Sequence, residues 1–386
     1  VGLVLFVGRA SMAIQTVFVS RTFEREDVGL IAVLLMLHAG ISAFTEMGHE
    51  AALIQRPDKE LTSYINTAWI AAMGRGLLLA ILIAVAAPFV ADFYGEPILS
   101  PLIQGSALYL LVIGVKSLHL VPLTRTMRFA KPKLLVAGSG LVGLAVTIGV
   151  GLSTGSIWCV VFGGIAQRIA EVVGSHLLAP ERHRFRFDWE EFKELFRYGR
   201  HIQAVAILVF LVTQLDDAVV GRVVSIEALG VYVNAYVLAN LPMTQIVAVA
   251  SQVSFPAWSQ VAREGDTEVR NAMFLSTLRL TTALSVALTV AIFIGGADMI
   301  EVIFGARWRD AEGPLRILVF FGLWRGIGAN FGALFNSLGR PDLILREISL
   351  KVVLIAATIY PMTDAWGLIG ASWAVTLPML VITPIA

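Results

Sequence analysis

The chain has 386 residues, of which 57% are hydrophobic and only 15% charged, with 29 Lys plus Arg against 28 Asp plus Glu. Soluble domains carry about 45–50% apolar and about 25% charged residues, so this composition excludes an ordinary soluble protein. A net charge of +1 offers no strongly basic face to a nucleic acid, and the single cysteine, Cys159, rules out an internal disulfide and a thiolate metal cluster.

No charged side chain occurs from Leu134 to Gln167 or from Ala228 to Ala262, and each stretch is long enough for nearly two hydrocarbon crossings of about 20 residues. The apolar runs lack the period-two alternation of a barrel, so the sequence predicts an all-α polytopic membrane protein. In chain order the first six spans are 1–19, 28–46, 67–91, 102–121, 134–152 and 156–178. Residues 1–19 read as a crossing already under way, and the true N-terminus is expected upstream. A cleaved signal peptide fits less well, because no small-residue cleavage site and soluble domain follow.

The longest connection, 179–199, carries a helix-start pattern: Asp188 caps, Glu191 reaches back, and Phe187 and Phe192 take the staple positions. Trp189, Phe192, Leu195 and Phe196 then share one face. Two readings stand for this short helix, one lying in the membrane interface and one packed on the protein. Six further spans follow at 200–222, 228–252, 274–297, 315–337, 343–363 and 365–386. The expected organisation is therefore an N-terminal lobe 1–178, a cytoplasmic linker 179–199 and a C-terminal lobe 200–386.

Basic residues orient the chain. Connections and helix ends after the even spans hold sixteen Lys and Arg, six of them between Arg182 and Arg200, whereas those after the odd spans hold six. The even loops and both ends are predicted cytoplasmic, although Arg307, Arg309 and Arg316 run against the rule. The two halves also read as copies. Arg21, Glu26 and Gly29 match Arg222, Glu227 and Gly230 at an offset of 201, and Lys131-Pro132 matches Arg340-Pro341 at an offset of 209. An even number of spans separates the copies, so the repeat is parallel.

Seven basic residues fall inside spans: Arg9, Arg75, Lys116, Arg168, Arg279, Arg325 and Lys351. Four acids accompany them, Glu46, Glu171, Asp216 and Asp217. Intramembrane charges are costly unless they meet a partner or a wet cavity, which makes them functional candidates. Arg325, Arg168, Arg75 and Arg9, with Trp324, are the candidate cavity residues for an anionic cargo, and Arg325 ranks first because it lies near the midplane with no acid within four positions. Arg168 and Glu171 share a helix face and can pair. Asp216, Asp217, Glu171 and Glu46 are the candidates for ion coupling; for the aspartates, an outer-end cap or a bridge to Arg222 is the competing reading. His38, His119 and His176 read as packing residues. No metal site, catalytic residue or cofactor is expected, and no Lys-Ser or Lys-Thr phosphate loop is present.

Several segments in order resemble a known family: Arg21 to Leu30, Gly48 to Arg56 ending Ala-Ala-Leu-Ile-Gln-Arg, Phe-Tyr-Gly-Glu-Pro at Phe93 to Pro97, and Arg186 to Glu191. Asp-Asp-Ala-Val-Val-Gly-Arg at Asp216 to Arg222, Ala228 to Pro242, Phe304 to Trp308 and Leu-Gly-Arg-Pro at Leu338 to Pro341 continue the series. Together they resemble the polysaccharide-unit flippases of the multidrug, oligosaccharidyl-lipid and polysaccharide exporter superfamily. Glu46 and Asp217 depart from it, standing where the family often has Asp and Asn.

The resemblance implies two six-helix lobes around a cavity that opens alternately to each side, in the bacterial inner membrane. It implies a secondary transporter moving a lipid-linked oligosaccharide of the undecaprenyl-pyrophosphate type to the periplasmic leaflet, with a polysaccharide polymerase as a possible companion. Two alternatives remain at this point: a drug exporter of the same superfamily, and a membrane-embedded glycosyltransferase or ligase. Outer loops of only a few to about seventeen residues disfavour the enzyme, and a surplus of Arg disfavours cationic drugs.

Overall fold

The computed structural model describes residues 2–44, 53, 61–125, 130–179, 181–240, 267–338 and 340–384. Every regular element among them is helical. In chain order these are α1 Gly2–Thr22, α2 Arg25–Phe44, α3 Leu61–Tyr94, α4 Leu99–Gly114, α5 Val121–Arg125, α6 Ala130–Thr154 and α7 Trp158–Leu178. They continue with α8 Trp189–Val223, α9 over 226–240, α10 Thr267–Ile303, a 3-10 turn Ala306–Ala311, α11 Glu312–Ser337 and α12 Pro341–Ile382. Among the described residues five stretches are long and apolar enough to cross a bilayer: Arg25–Phe44, Leu61–Tyr94, Ala130–Thr154, Gln203–Val223 and Asn271–Ile303. The chain is a multi-pass membrane protein.

Its surface is inverted relative to a soluble protein. On α3 the side chains of Leu77, Leu78, Ile81, Leu82, Val85, Phe89 and Phe93 are all exposed, and their spacing of three and four makes one continuous apolar stripe suited to lipid. Polar residues such as Thr67, Ser106, Thr147, Ser175 and Asn330 are buried instead. Without a hydrophobic drive between helices, association in lipid rests on close packing. Gly76 of α3 faces Gly114 of α4 so tightly that an added Cβ would come 2.7 Å from the Leu110 carbonyl oxygen. Gly143 of α6 and Gly163 of α7 meet in the same way.

The chain divides into two compact units, Val1–Ile207 and Leu208–Ala386. In the first, α1 packs on α6, α6 on α7, α7 on α4 and α4 on α3. In the second, α11 packs on both α10 and α12. Among the described residues four glycines adopt positive φ: Gly95 (75°) and Gly155 (61°) in the first unit, Gly305 (108°) and Gly367 (57°) in the second. They fall into two pairs at offsets of 210 and 212 residues, close to the offset that aligns Lys131 with Arg340. The first pair falls between the third and fourth predicted spans of each half, and the second between the fifth and sixth in the first half and two residues into the sixth in the second.

Three boundaries differ from the sequence reading. The fourth span was expected over 102–121 but α4 stops at Gly114; the apolar residues beyond it, Leu118, Leu120 and Val121, are buried in a turn and in α5 rather than in a continuing helix. The linker helix is not a separate element, because α8 runs unbroken from Trp189 to Val223. Gly199 alone costs a helix only about 1 kcal/mol relative to Ala and does not stop it. Conversely α12 holds two predicted spans, whose break falls at Gly367, where the backbone leaves helical geometry (φ 57, ψ −135).

Candidate functional site

In the first unit, α4 and α7 and the turn after α4 bring together a charged cluster. Glu171 on α7 is only 4% exposed. Its Oε2 accepts from Arg168 Nη1 at 2.5 Å, and its Oε1 pairs with Lys116 Nζ at 2.9 Å. One carboxylate thus holds two cations, one three residues away on its own helix and one just beyond the end of α4. The second guanidinium nitrogen of Arg168 donates to the Tyr109 hydroxyl of α4. Tyr109 stands edge-on to His38 of α2, with ring centroids 5.0 Å apart, and His38 Nε2 bonds Ser106 Oγ at 2.7 Å. A small cavity of about 80 Å³ opens here, lined by Leu34, His38, Ser106, Tyr109 and Gly164 among others.

In the second unit the cluster comes from α8, α9 and α11. Asp216 is 1% exposed and Asp217 9%. Asp216 Oδ2 accepts from the Tyr232 hydroxyl at 2.7 Å, while its Oδ1 is buried without a hydrogen-bond partner among the described residues. One helical turn on, the Tyr236 hydroxyl accepts from Arg325 Nη1 at 3.1 Å, and its ring lies 5.7 Å from that of Phe321. Tyr232 and Tyr236 on α9 and Phe321 and Arg325 on α11 are both four-residue pairs, so two helix stripes mesh. Arg325 acts electrostatically on Asp216 yet makes no ion pair among the described residues. It sits near the middle of the 26-residue α11.

The offset of 209 that aligns Lys131 with Arg340 also aligns Lys116 with Arg325, although Lys116 lies just beyond the end of α4 and Arg325 midway along α11. Lys116 is bound to a carboxylate and Arg325 to a phenol.

The remaining candidates are scattered. Arg75 donates to the Ser42 carbonyl oxygen at 3.3 Å, which is a helix-to-helix tie. Trp324 is half-buried, but adjacent helical residues point about 100° apart, so it lies off the Arg325 stripe. Arg9 belongs to α1, though its side chain lies outside the described residues, as does the whole of Glu46. Lys351 is buried and paired with Glu347 one turn back on α12, whereas Arg279 is exposed on α10.

The histidines pack, as expected, but around a ring that the sequence did not single out. His119 and His176 converge with His183 of the linker, at ring-centroid distances from His183 of 4.3 and 6.0 Å. Trp69 of α3 stacks flat on His183 at 4.5 Å. The His183 Nε2 accepts the Leu118 N–H at 3.2 Å, which fixes a neutral ring with its proton on Nδ1. Burial and the two neighbouring imidazoles push its pKa down to about 4. Among the described residues no three His, Cys, Asp or Glu are placed to hold a metal ion.

A family profile described as polysaccharide biosynthesis protein matches residues 18–312. Similar proteins include the lipopolysaccharide biosynthesis protein WzxC of Escherichia coli strain K12, 21% identical over 375 residues that cover 96% of this chain and 75% of that one. The teichuronic acid biosynthesis protein TuaB of Bacillus subtilis strain 168 is 24% identical over 336 residues, covering 85% and 68% of the two chains. Among solved structures, the lipid II flippase MurJ in an inward closed conformation superposes with a TM-score of 0.80 at 12% identity, over 99% of this chain and 85% of that one. That likeness is one of fold, the all-α polytopic exporter fold.

Proposed function

The chain belongs to the polysaccharide biosynthesis protein family, and on that premise we propose that it is a secondary transporter that flips a lipid-linked oligosaccharide across the membrane for cell-surface polysaccharide synthesis. The cargo is of the undecaprenyl-pyrophosphate type, the membrane is the bacterial inner membrane, and a polysaccharide polymerase takes the product on the far side. The transporter exposes its cargo site first to the cytoplasmic and then to the periplasmic face. Its lobes are 1–178 and 200–386, joined by 179–199.

The observation that carries this reading is the state of the intramembrane cations. In the first unit two cations share one carboxylate, leaving a surplus positive charge, and in the second Arg325 has a phenol in place of an acid. A pyrophosphate is a dianion or more, and its oxygens suit a guanidinium fork. Arg325 binds it directly. Within the first unit Arg168 is a cargo candidate in its own right, its fork held by Glu171, which also keeps Lys116. Asp216, with one buried oxygen lacking a partner among the described residues, is the group that takes up a proton or cation during the cycle.

Cells lacking the protein test this reading. They should accumulate the lipid-linked oligosaccharide on the cytoplasmic leaflet, protected from a periplasmic glycosidase, with no change in sensitivity to cationic drugs. Unchanged sidedness of the oligosaccharide together with increased drug sensitivity would replace the flippase with a drug exporter.

A further inference from the structure

The segment from His183 to Arg200 shows two opposite faces. Its inner face is tied to the start of α3: the Arg184 N–H donates to Asn66 Oδ1 at 2.9 Å and the Asp188 N–H to Thr67 Oγ1 at 3.2 Å. Glu191 accepts from Ser63 and from Thr67, the latter at 2.5 Å, and Glu194 accepts from the Tyr64 hydroxyl at 2.8 Å. Leu195, 3% exposed, joins the core of Tyr64, Ile65, Ala68 and Trp69. The outer face carries a ladder of rings: Trp189 on Phe192 at 5.3 Å and Phe192 on Phe196 at 6.2 Å, both stacked. Trp189 is 57% exposed and Phe196 46%. Lys193, Arg197 and Arg200 rim the same shallow depression. Lys193 shares its charge with Glu190, while Arg197 and Arg200 meet no acid among the described residues.

Contacts within this unit fix the level at which that face sits. Trp69 touches His176, ring centroids 6.4 Å apart, and His176 lies one residue before Leu177, which is 79% exposed at the end of the 21-residue α7. An α7 of that length matches the hydrocarbon thickness of about 30 Å, so Trp69 marks the membrane boundary. Asn66, Thr67 and the groups bound to them lie about one helical turn outside it, roughly 5 Å. That is the headgroup layer.

We propose that the outer face of residues 189–200 is a docking surface for anionic phospholipids of the adjoining leaflet, with the rings of Trp189, Phe192 and Phe196 at the headgroup boundary and Arg197 and Arg200 on lipid phosphates. Charge complementarity selects this occupant, because the segment spends Glu191 and Glu194 on α3 and turns its uncompensated bases outward. Amphipathic rings and basic side chains at that depth are the recognised physical basis of binding to a negative membrane surface. The inference needs only a multi-pass protein and is independent of the cargo.

The full chain in nanodiscs of phosphatidylcholine tests it, with a minor fraction of either brominated phosphatidylglycerol or brominated phosphatidylcholine. The Trp189-dependent fluorescence quench is the difference between wild type and Trp189→Phe. Two arginines at the surface favour the anionic lipid by roughly thirtyfold locally, so brominated phosphatidylglycerol should quench Trp189 several-fold more than its zwitterionic counterpart. The paired change Arg197→Gln and Arg200→Gln should remove that preference, and Arg→Lys at both should keep it. Equal quenching by both lipids in the wild type would reduce the face to plain interfacial insertion and overturn the proposal. Absence of any Trp189-dependent quench, as for a solvated face or one reserved for a protein partner, would overturn it as well.

Discussion

Replacing Arg325 is the most informative single perturbation of the cargo site. Its guanidinium makes one neutral hydrogen bond, to Tyr236, and no ion pair among the described residues, although its charge acts on buried Asp216. The loss on truncation to Ala therefore combines the cargo contact with the charge beside Asp216, and Arg325→Lys, which keeps that charge, separates the two. A hydrogen bond to a charged group contributes about 1.5–3 kcal/mol, which at sub-saturating cargo lowers transport roughly 10- to 150-fold. Arg325→Lys keeps the charge but gives up the bidentate fork, so its loss is smaller, on the order of threefold to tenfold. Arg168→Ala provides the contrast, because Glu171 retains Lys116 at 2.9 Å, and its effect should be milder than that of Arg325→Ala. The assay is restoration of surface polysaccharide in a deletion strain, with membrane protein level measured in parallel. Full complementation by Arg325→Ala at normal abundance would refute the reasoning, as would an equal loss for Arg325→Lys and Arg325→Ala.

Three other outcomes are expected. Asp216→Asn should impair transport under an imposed proton gradient more than Asp217→Asn, since Asp216 alone meets Tyr232; equal and unimpaired activity would reject a coupling role. Reporter fusions at Lys131 and Arg186 should read cytoplasmic and those at Gly95 and Gly155 periplasmic, and a cytoplasmic reading at Gly155 would break the six-plus-six arrangement. Docking of the linker should weaken with acid: undocked His183 takes a proton near its ordinary value of 6.5 and the docked ring only near about 4. Between those values the undocked state binds more protons, so falling pH favours it. The groups facing the ring are His119, His176 and, beyond them, Glu181, which acts on His119. Amide protection over 188–195, corrected for intrinsic exchange, should fall from pH 7.5 to 5 in the wild type and fall less in His183→Gln, where burial of His119 still lowers one pKa; a flat wild-type profile would contradict it.

What could be read from sequence was mainly what depends on one helix at a time. The charge-free run from Leu134 to Gln167 located two spans, now α6 and α7, while most of the span expected over 228–252 lies outside the described residues; the three-residue spacing of Arg168 and Glu171 anticipated their pairing. The acidic, aromatic and basic positions of the linker already divided it into faces, and the reading that packs it on the protein is met by Leu195 in the core with Tyr64 and Trp69. What escaped depends on a second helix. Lys116 reaches Glu171 from the turn after α4 stops at Gly114, and apolar continuity through Leu118 and Val121 hid that stop. Tyr109, Tyr232 and Tyr236 give no signal in an apolar run until the partner opposite them is known. His183 sits in a charged loop, where nothing in its neighbours points to Trp69. One signal was present and unused: the repeat offset of 209 that pairs Lys131 with Arg340 also pairs Lys116 with Arg325.

The central claim, that the chain flips an anionic lipid-linked glycan, is most directly tested with purified protein in proteoliposomes carrying a fluorescent isoprenoid oligosaccharide, its sidedness followed by an impermeant quencher. The account predicts protein-dependent flipping of the pyrophosphate-linked glycan, markedly slower movement of a glycan on a neutral linkage, and loss of this discrimination in Arg325→Ala. Equal flipping of both lipids by the wild type, or no protein-dependent flipping of the pyrophosphate form, would contradict it.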